Sequence, residues 1–443
     1  MSRSSQKTDT TSEYLIPESA PELLRGPKWL RDARERSRRD FNKSPVPPRG
    51  LHLWRYTDPA TFLIPHDGPP DSTPDDGVQS SEGPVSEHLE KDSTGRLVHD
   101  VGGRDIELHG ADALTSRGVI VSRLSEAVDR HRKLVEQYLY RLINSRSGKF
   151  EAQNSALWNN GIFIFVPDSV RVAEPIHLLR EAGRSGSTQF HKLLIVVGRN
   201  AELTVVDEYF GGDDSDRNTS HANSAVEIFG LQESRVRYVS LQRYAHRMNS
   251  YLTHRATLER GATMLTVPLD FGGAVSKHNY GVSLVGEGAE SNIIGLLFAS
   301  GRQHFDNHTR HHHAASRTQS NIDFKTVLRD KSTSAYTGLI RIENEAKGCE
   351  AYQENRNLLL NRGVRAEVIP ELEILNEDVS CTHGATIGPI DPLTIFYLKS
   401  RGIEQEAAVR MIVAGFVDST LKRLPSDVAE RVAGFAHRRL EGL

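Results

Sequence analysis

The feature that most constrains this chain is a long succession of short β-branched runs, several entered through nearly the same turn. From Ala156 on, strand-like stretches follow one another with little helix between them: 162–166, 192–197, 202–209, 225–229, 235–242, 250–258, 263–271, 279–285, 291–299, 322–328, 335–342 and 366–375. The turns Gly198-Arg199-Asn200-Ala201, Arg260-Gly261-Ala262 and Gly286-Glu287-Gly288-Ala289 resemble one another. Many short strands joined by self-similar turns specify a solenoid or a sandwich. The spacing is irregular, so the period alone does not choose. In a solenoid each coil buries its face only against the next. The last coil is then open and needs a cap or a partner.

The flanks read differently. Residues 1–12 are polar, and 21–41 are helical, divided at Gly26-Pro27 and densely charged on one side. The stretch 51–57 alternates as a short strand, and 66–95 is a Pro-, Gly-, Ser- and Asp-rich linker. A buried strand is expected over 118–121 and a helix over 122–142. This gives a mostly helical N-terminal region, 1–150, before a β core, 151–390. Asp391-Pro392 reads as an N-cap with Pro at the first helical position, opening a helical subdomain, 391–443. Its first helix ends near Gly402. The second carries Ala407, Ala408, Met411, Ile412 and Phe416 on one stripe, and the third, after Pro425, carries Val428, Val432 and Phe435. Such stripes pack on one another or fill a partner's groove.

With 443 residues the chain is long enough for a sizeable core, and a formal net charge of -3 gives no reason to expect nucleic acid as partner. Two cysteines cannot build a disulfide framework and suit a reducing compartment. The N-terminal stretch has no apolar segment of the signal-peptide kind, and no apolar run is long enough to span a bilayer. The expectation is a soluble, cytoplasmic protein. No phosphate-cradling GxxxxGK[ST] occurs, so the chain is not expected to bind or hydrolyse ATP itself.

Chemistry concentrates at Cys381-Thr382-His383. On extended backbone a thiol and an imidazole two residues apart share one side, and both suit iron, zinc or a sulfur intermediate. Gly384 and Gly388 are expected to bend the chain after them. The histidines His304, His308, His311, His312 and His313 invite a mononuclear metal site. In a strand, however, His304 and His312 would stand about 26 Å apart and the adjacent His311 and His312 would point to opposite faces. Cys349 reads as an exposed thiol in a turn. An enzymatic role for Cys381 would need an activating base, and no triad pattern is present.

Three stretches carry a resemblance: Ala351-Tyr352-Gln353-Glu354-Asn355-Arg356-Asn357-Leu358-Leu359-Leu360; Pro370-Glu371-Leu372-Glu373-Ile374; and the segment from Asp378 through Cys381-Thr382-His383-Gly384-Ala385-Thr386-Ile387-Gly388 to Ile403. They resemble the SufB/SufD family of iron–sulfur cluster assembly proteins, SufD more than SufB, over about residues 115–443, with a fainter echo at Trp54-Arg55-Tyr56-Thr57. The resemblance implies a mainly β protein, with a right-handed parallel β-helix core between the helical regions. It implies a non-enzymatic scaffold that pairs with a SufB-like subunit and docks a SufC-like ATPase through its C-terminal helices. A transient cluster or sulfur would sit at the subunit interface, held by His383 first and Cys381 second. A reduced flavin in the assembled complex is left open. Against a SufB-like identity stand the absence of the Glu-rich version of the Cys381–Gly388 pattern and of any cysteine before Cys349. Other readings are a homodimeric scaffold, a carbohydrate-active β-helix enzyme and a metal-binding module built on the histidine set.

Overall fold

Two long sheets face each other, and from β4 onward successive strands pass alternately from one to the other. The computed structural model describes residues 14–64, 96–101, 105–109, 112–183, 185–212, 218–424 and 426–441. Its strands are β1 (Arg96–Val101), β2 (Asp105–His109), β3 (Ile120–Arg123), β4 (Asn160–Val166), β5 (Ile176–Ala182), β6 (Thr188–Val197), β7 (Glu202–Gly211), β8 (Ser220–Gly230), β9 (Arg235–Tyr244), β10 (Met248–Leu258), β11 (Thr263–Asp270), β12 (Val275–Leu284), β13 (Glu290–Ala299), β14 (His304–His313), β15 (Gln319–Leu328), β16 (Thr333–Ile342), β17 (Cys349–Leu359), β18 (Arg365–Ile374) and β19 (Val379–Pro389). The first sheet runs β19-β17-β15-β13-β11-β9-β7-β5-β1-β2, and the second β18-β16-β14-β12-β10-β8-β6-β4-β3. From β4 to β19 every pairing is parallel. The chain is therefore mainly β, a parallel β-solenoid with helices at both termini, as the repeated runs and the resemblance lead one to expect.

The self-similar turns have a physical basis. One residue per turn is left-handed: Asn200 (φ 54°), Glu233 (57°), Gly261 (64°), Gly288 (69°), Arg317 (56°) and Gly348 (63°). Each donates its N–H to a carbonyl in the turn of the next coil, at 2.7–3.2 Å. The residue that follows is small and buried: Ala201, Ser234, Ala262, Ala289, Thr318 or Cys349. Side chains alternate from there, so Val236, Met264, Ile293 and Ile322 fill the space between the sheets. Repeat length varies because the loops vary: it is 26 residues from Asn249 to its register partner Val275 and 32 from Thr333 to Arg365.

Both outer faces are covered over part of their length. On the first sheet, Val239, Leu269, Leu296 and Phe298 pack under the helices Gln405–Leu421 and Ser426–Glu441, which contribute Val413, Val417, Leu421 and Val432. The tail thus packs neither solely on itself nor wholly away from the chain. Its buried side is centred on Ala408, Val413, Val417 and Thr420, while Met411 of the expected stripe is exposed. Pro425 and the side chain of Val428 lie outside the described residues, as does the linker 66–95. Polar clamps reinforce the docking: Arg431 and Arg243 both pair with buried Glu208, and Arg423 with Asp323. On the second sheet, Phe163, Leu194 and Val196 pack under the N-terminal helices.

Several local expectations are corrected. Residues 51–57 form no strand: His52–Trp54 is a 3-10 turn that seats Trp54 parallel to Tyr251 at 6.0 Å and 4.9 Å from the Lys277 ammonium. The strand expected at 118–121 is Ile120–Arg123 and only half-buried. The helix expected at 122–142 is two, Leu124–Arg130 and Arg132–Tyr138, broken at His131. Helix Lys149–Leu157, buried along its whole length, has no amphipathic stripe and so gave no signal.

Candidate functional site

The solenoid ends at an unfinished coil. β18 and β19 are the edge strands of the two sheets at one end, so each offers a row of unpaired backbone groups. No residue of β18 or β19 is fully buried, in contrast to the strands beneath. Tyr352, Ile374, Leu375 and Ile387 leave apolar surface in solvent at this end.

Cys381 and His383 both lie on β19. Gly384 and Gly388 do not bend the chain: the strand runs unbroken through them to Pro389, paired residue by residue with β17. Cys381 is opposite Ala351 and His383 opposite Gln353, and both partners are buried. Cys381 packs on the inner core, so it points between the sheets; His383, two residues on, shares that side and is exposed. Thiol and imidazole are thus about 7 Å apart along the strand, at the mouth of the solenoid. Burial pushes the Cys381 thiol up to about 11. It is neutral at pH 7, and a metal or electrophile must displace its proton to bind. Among the described residues no group of three or more His, Cys, Asp or Glu converges as a metal site. The pair therefore offers two ligands where a tetrahedral centre takes four.

The histidine run does not form a site. All five histidines lie on β14, where alternation splits them: His311 and His313 face the interior, and His304, His308 and His312 face outward. Each has its own partner. His311 meets Ser291 at 2.9 Å, and His313 meets Thr318 at 2.7 Å and Ser320 at 2.8 Å. His312 meets Glu343 at 2.8 Å, and His304 meets Thr57 and Thr333. His308 joins Lys277 and Asp306 in a buried cluster at 2.7–2.9 Å. Burial holds His311 down to about 3 and His313 to about 4.

Cys349 is not an exposed turn thiol. It follows the left-handed Gly348 and occupies the small, inward position that alanine, serine or threonine fills in other coils. It is 1% exposed, with Thr318 Oγ1 at 3.2 Å from its sulfur. The repeat itself was the signal for this placement.

Past β19 the expected cap forms. The Asp391 carboxylate accepts from the N–H of Leu393 at 3.1 Å and Thr394 at 3.3 Å, starting helix Pro392–Ser400. That helix buries no residue, and Leu393 (74% exposed) and Phe396 (69%) stand in solvent beside the open coil. No helix among the described residues is long and apolar enough to cross a membrane.

Comparison with known proteins agrees with this geometry. Residues 179–416 match the family model "SUF system FeS cluster assembly, SufBD core domain", and residues 97–178 match "SufBD protein N-terminal region". The chain is 27% identical over 430 residues to an iron–sulfur cluster assembly SufBD family protein of Staphylococcus saprophyticus, covering 94% of this chain and 90% of the relative. Relatives of the same description in Staphylococcus haemolyticus and Staphylococcus aureus are 27% and 26% identical over the same length. The core match alone takes in more than half of the sequence, including the two edge strands, and on that ground the chain belongs to the SufBD family of iron–sulfur cluster assembly proteins.

Proposed function

We propose that the chain is the SufD-type, non-enzymatic half of a paired scaffold in the cytoplasm. Its last coil adds to the last coil of a SufB-like chain, edge strand to edge strand. His383 first, and Cys381 second, then face the sister's ligands across the seam and hold a nascent cluster or its sulfur as cargo. The observation that carries this reading is the position of Cys381 and His383: an incomplete ligand pair on an unpaired edge strand, at the open end of the stack. The exposed helix Pro392–Ser400 and the helices after it receive a SufC-like ATPase, which supplies the nucleotide chemistry this chain has no motif for. ATP-driven movement of that subunit opens the seam to iron and sulfide. The Cys381–Gly388 pattern and the lack of any cysteine before Cys349 favour the SufD over the SufB role.

Anaerobic co-expression with SufB-like and SufC-like chains, followed by size-exclusion chromatography with light scattering, tests this. The expected result is one peak holding all three chains. A chain that elutes alone beside its intact would-be partners overturns the reading, and a stable pair of its own copies that excludes the SufB-like chain replaces it with the homodimeric one.

A further inference from the structure

We propose that the outer face of the second sheet carries an oxyanion site, built on Arg255 and Arg310 and suited to the phosphate of a small molecule. It lies on the outside of the solenoid, and it does not depend on the cluster-assembly reading.

The register creates the site. Arg255 on β10, Gly281 on β12 and Arg310 on β14 are consecutive partners across the ladder, all facing outward. Neighbouring strands are about 4.8 Å apart, so the two arginine Cα atoms stand about 10 Å apart with a missing side chain between them. A Cβ at Gly281 would lie 3.0 Å from Arg255 Cδ and 3.2 Å from its Nη1, so Arg255 lies across the notch. Arg255 Nη1 donates to the carbonyls of His254 at 2.8 Å and Asn279 at 3.0 Å, which fixes the guanidinium with neutral acceptors only.

What the two arginines lack is a direct ion pair. Elsewhere, buried cations on these sheets meet carboxylates: Arg180 meets Asp207 at 2.6 Å, Lys192 meets Glu227 at 2.9 Å and Lys277 meets Asp306 at 2.9 Å. Among the described residues neither Arg255 nor Arg310 has an ion-pair partner. Burial and the neighbouring Arg310 charge both work against the Arg255 cation. Glu151 favours the Arg255 cation through space but makes no direct ion pair with it, its Oε1 accepting instead from the hydroxyls of Tyr251 at 2.8 Å and Thr253 at 2.7 Å. His308, two residues before Arg310 on the same face, has an Nδ1 with no protein partner. Two arginines separated by one strand on the same outer face can donate together to a tetrahedral dianion, which accepts from several directions at once. A planar carboxylate matches a single fork. Gly281 is itself buried beneath the Arg255 side chain, whereas Arg255 is part-exposed and Arg310 exposed, so it is the two guanidinium groups that solvent reaches.

The test is calorimetric titration of the full-length chain with inorganic phosphate and with pyrophosphate, in low-chloride buffer. We expect saturable one-site binding to at least one of them, weakening as salt is raised. Arg310→Ala, a surface change that leaves the fold intact, should weaken it about ten-fold or more, and Arg255→Met likewise. Arg302→Ala, an exposed arginine elsewhere, should leave it unchanged. Absence of saturable binding overturns the proposal, as does binding equally strong in Arg310→Ala. Should Arg255→Met fail to fold, Arg310→Ala decides alone.

Discussion

Cys381 is a poor nucleophile until something takes its proton. Half-burial at the solenoid mouth raises the thiol to about 11, above the ordinary range of 8–9. Alkylation of the isolated chain by iodoacetamide should therefore be slow at pH 7.5 and climb until about pH 11. An apparent midpoint near the ordinary value would show that the sulfur is not shielded. The buried imidazoles make a second residue-scale prediction. His254 and His311 are held down to about 3, His221 and His313 to about 4, chiefly by burial. In the unfolded chain they titrate near 6.5, so between pH 6.5 and 3 the unfolded state binds more protons and stability falls as pH falls. Proton uptake on unfolding near pH 5 should drop by about one in His254→Phe. No change there would mean that His254 is already protonated in the fold. Cys349 shows what single residues conceal: its neighbours read as a polar turn, and only the stacked repeat places it inside.

At the scale of elements, strands were legible because alternation of β-branched residues writes itself into sequence; most of the runs read from Ala156 on fall within observed strands. β14 was ambiguous because its histidines are polar on both faces, and a polar residue facing the interior breaks the pattern that marks a strand. The tail helices were legible as helices, but not the side they bury. The surface that Val413 and Val417 meet is made of Val239, Leu269 and Leu296, far away in the chain. The clamp at Glu208, fully buried between Arg243 and Arg431, holds the tail in place. Glu208→Gln should cost about 3 kcal/mol, as removal of one partner from a buried ionic cluster does. It should also speed proteolysis between 404 and 441. Unchanged protection would show that apolar packing alone suffices. On helix Pro392–Ser400, Phe396→Ala removes a solvent-exposed ring and should leave Tm within experimental error while weakening capture of the SufC-like ATPase. Equal capture would place the docking surface elsewhere.

At the scale of the whole molecule, the stack is well formed along its length and incomplete at one end. Interior coils bury the side chains between the two sheets, while the coil of β18 and β19 leaves Ile374, Leu375 and Ile387 against solvent. That a last coil would be open followed from solenoid logic alone. That Cys381 and His383 would be the residues on it came from the resemblance together with their position just before the helical tail. Under the proposed pairing the remainder of the ligand set belongs to a second chain, and no single sequence encodes it. The most direct measurement is the visible absorbance of the anaerobically reconstituted complex after iron and sulfide loading, native against His383→Ala, with complex formation checked by chromatography. The expected result is an intact complex whose cluster absorbance is lost or severely reduced in the variant. An intact complex with undiminished absorbance would contradict it.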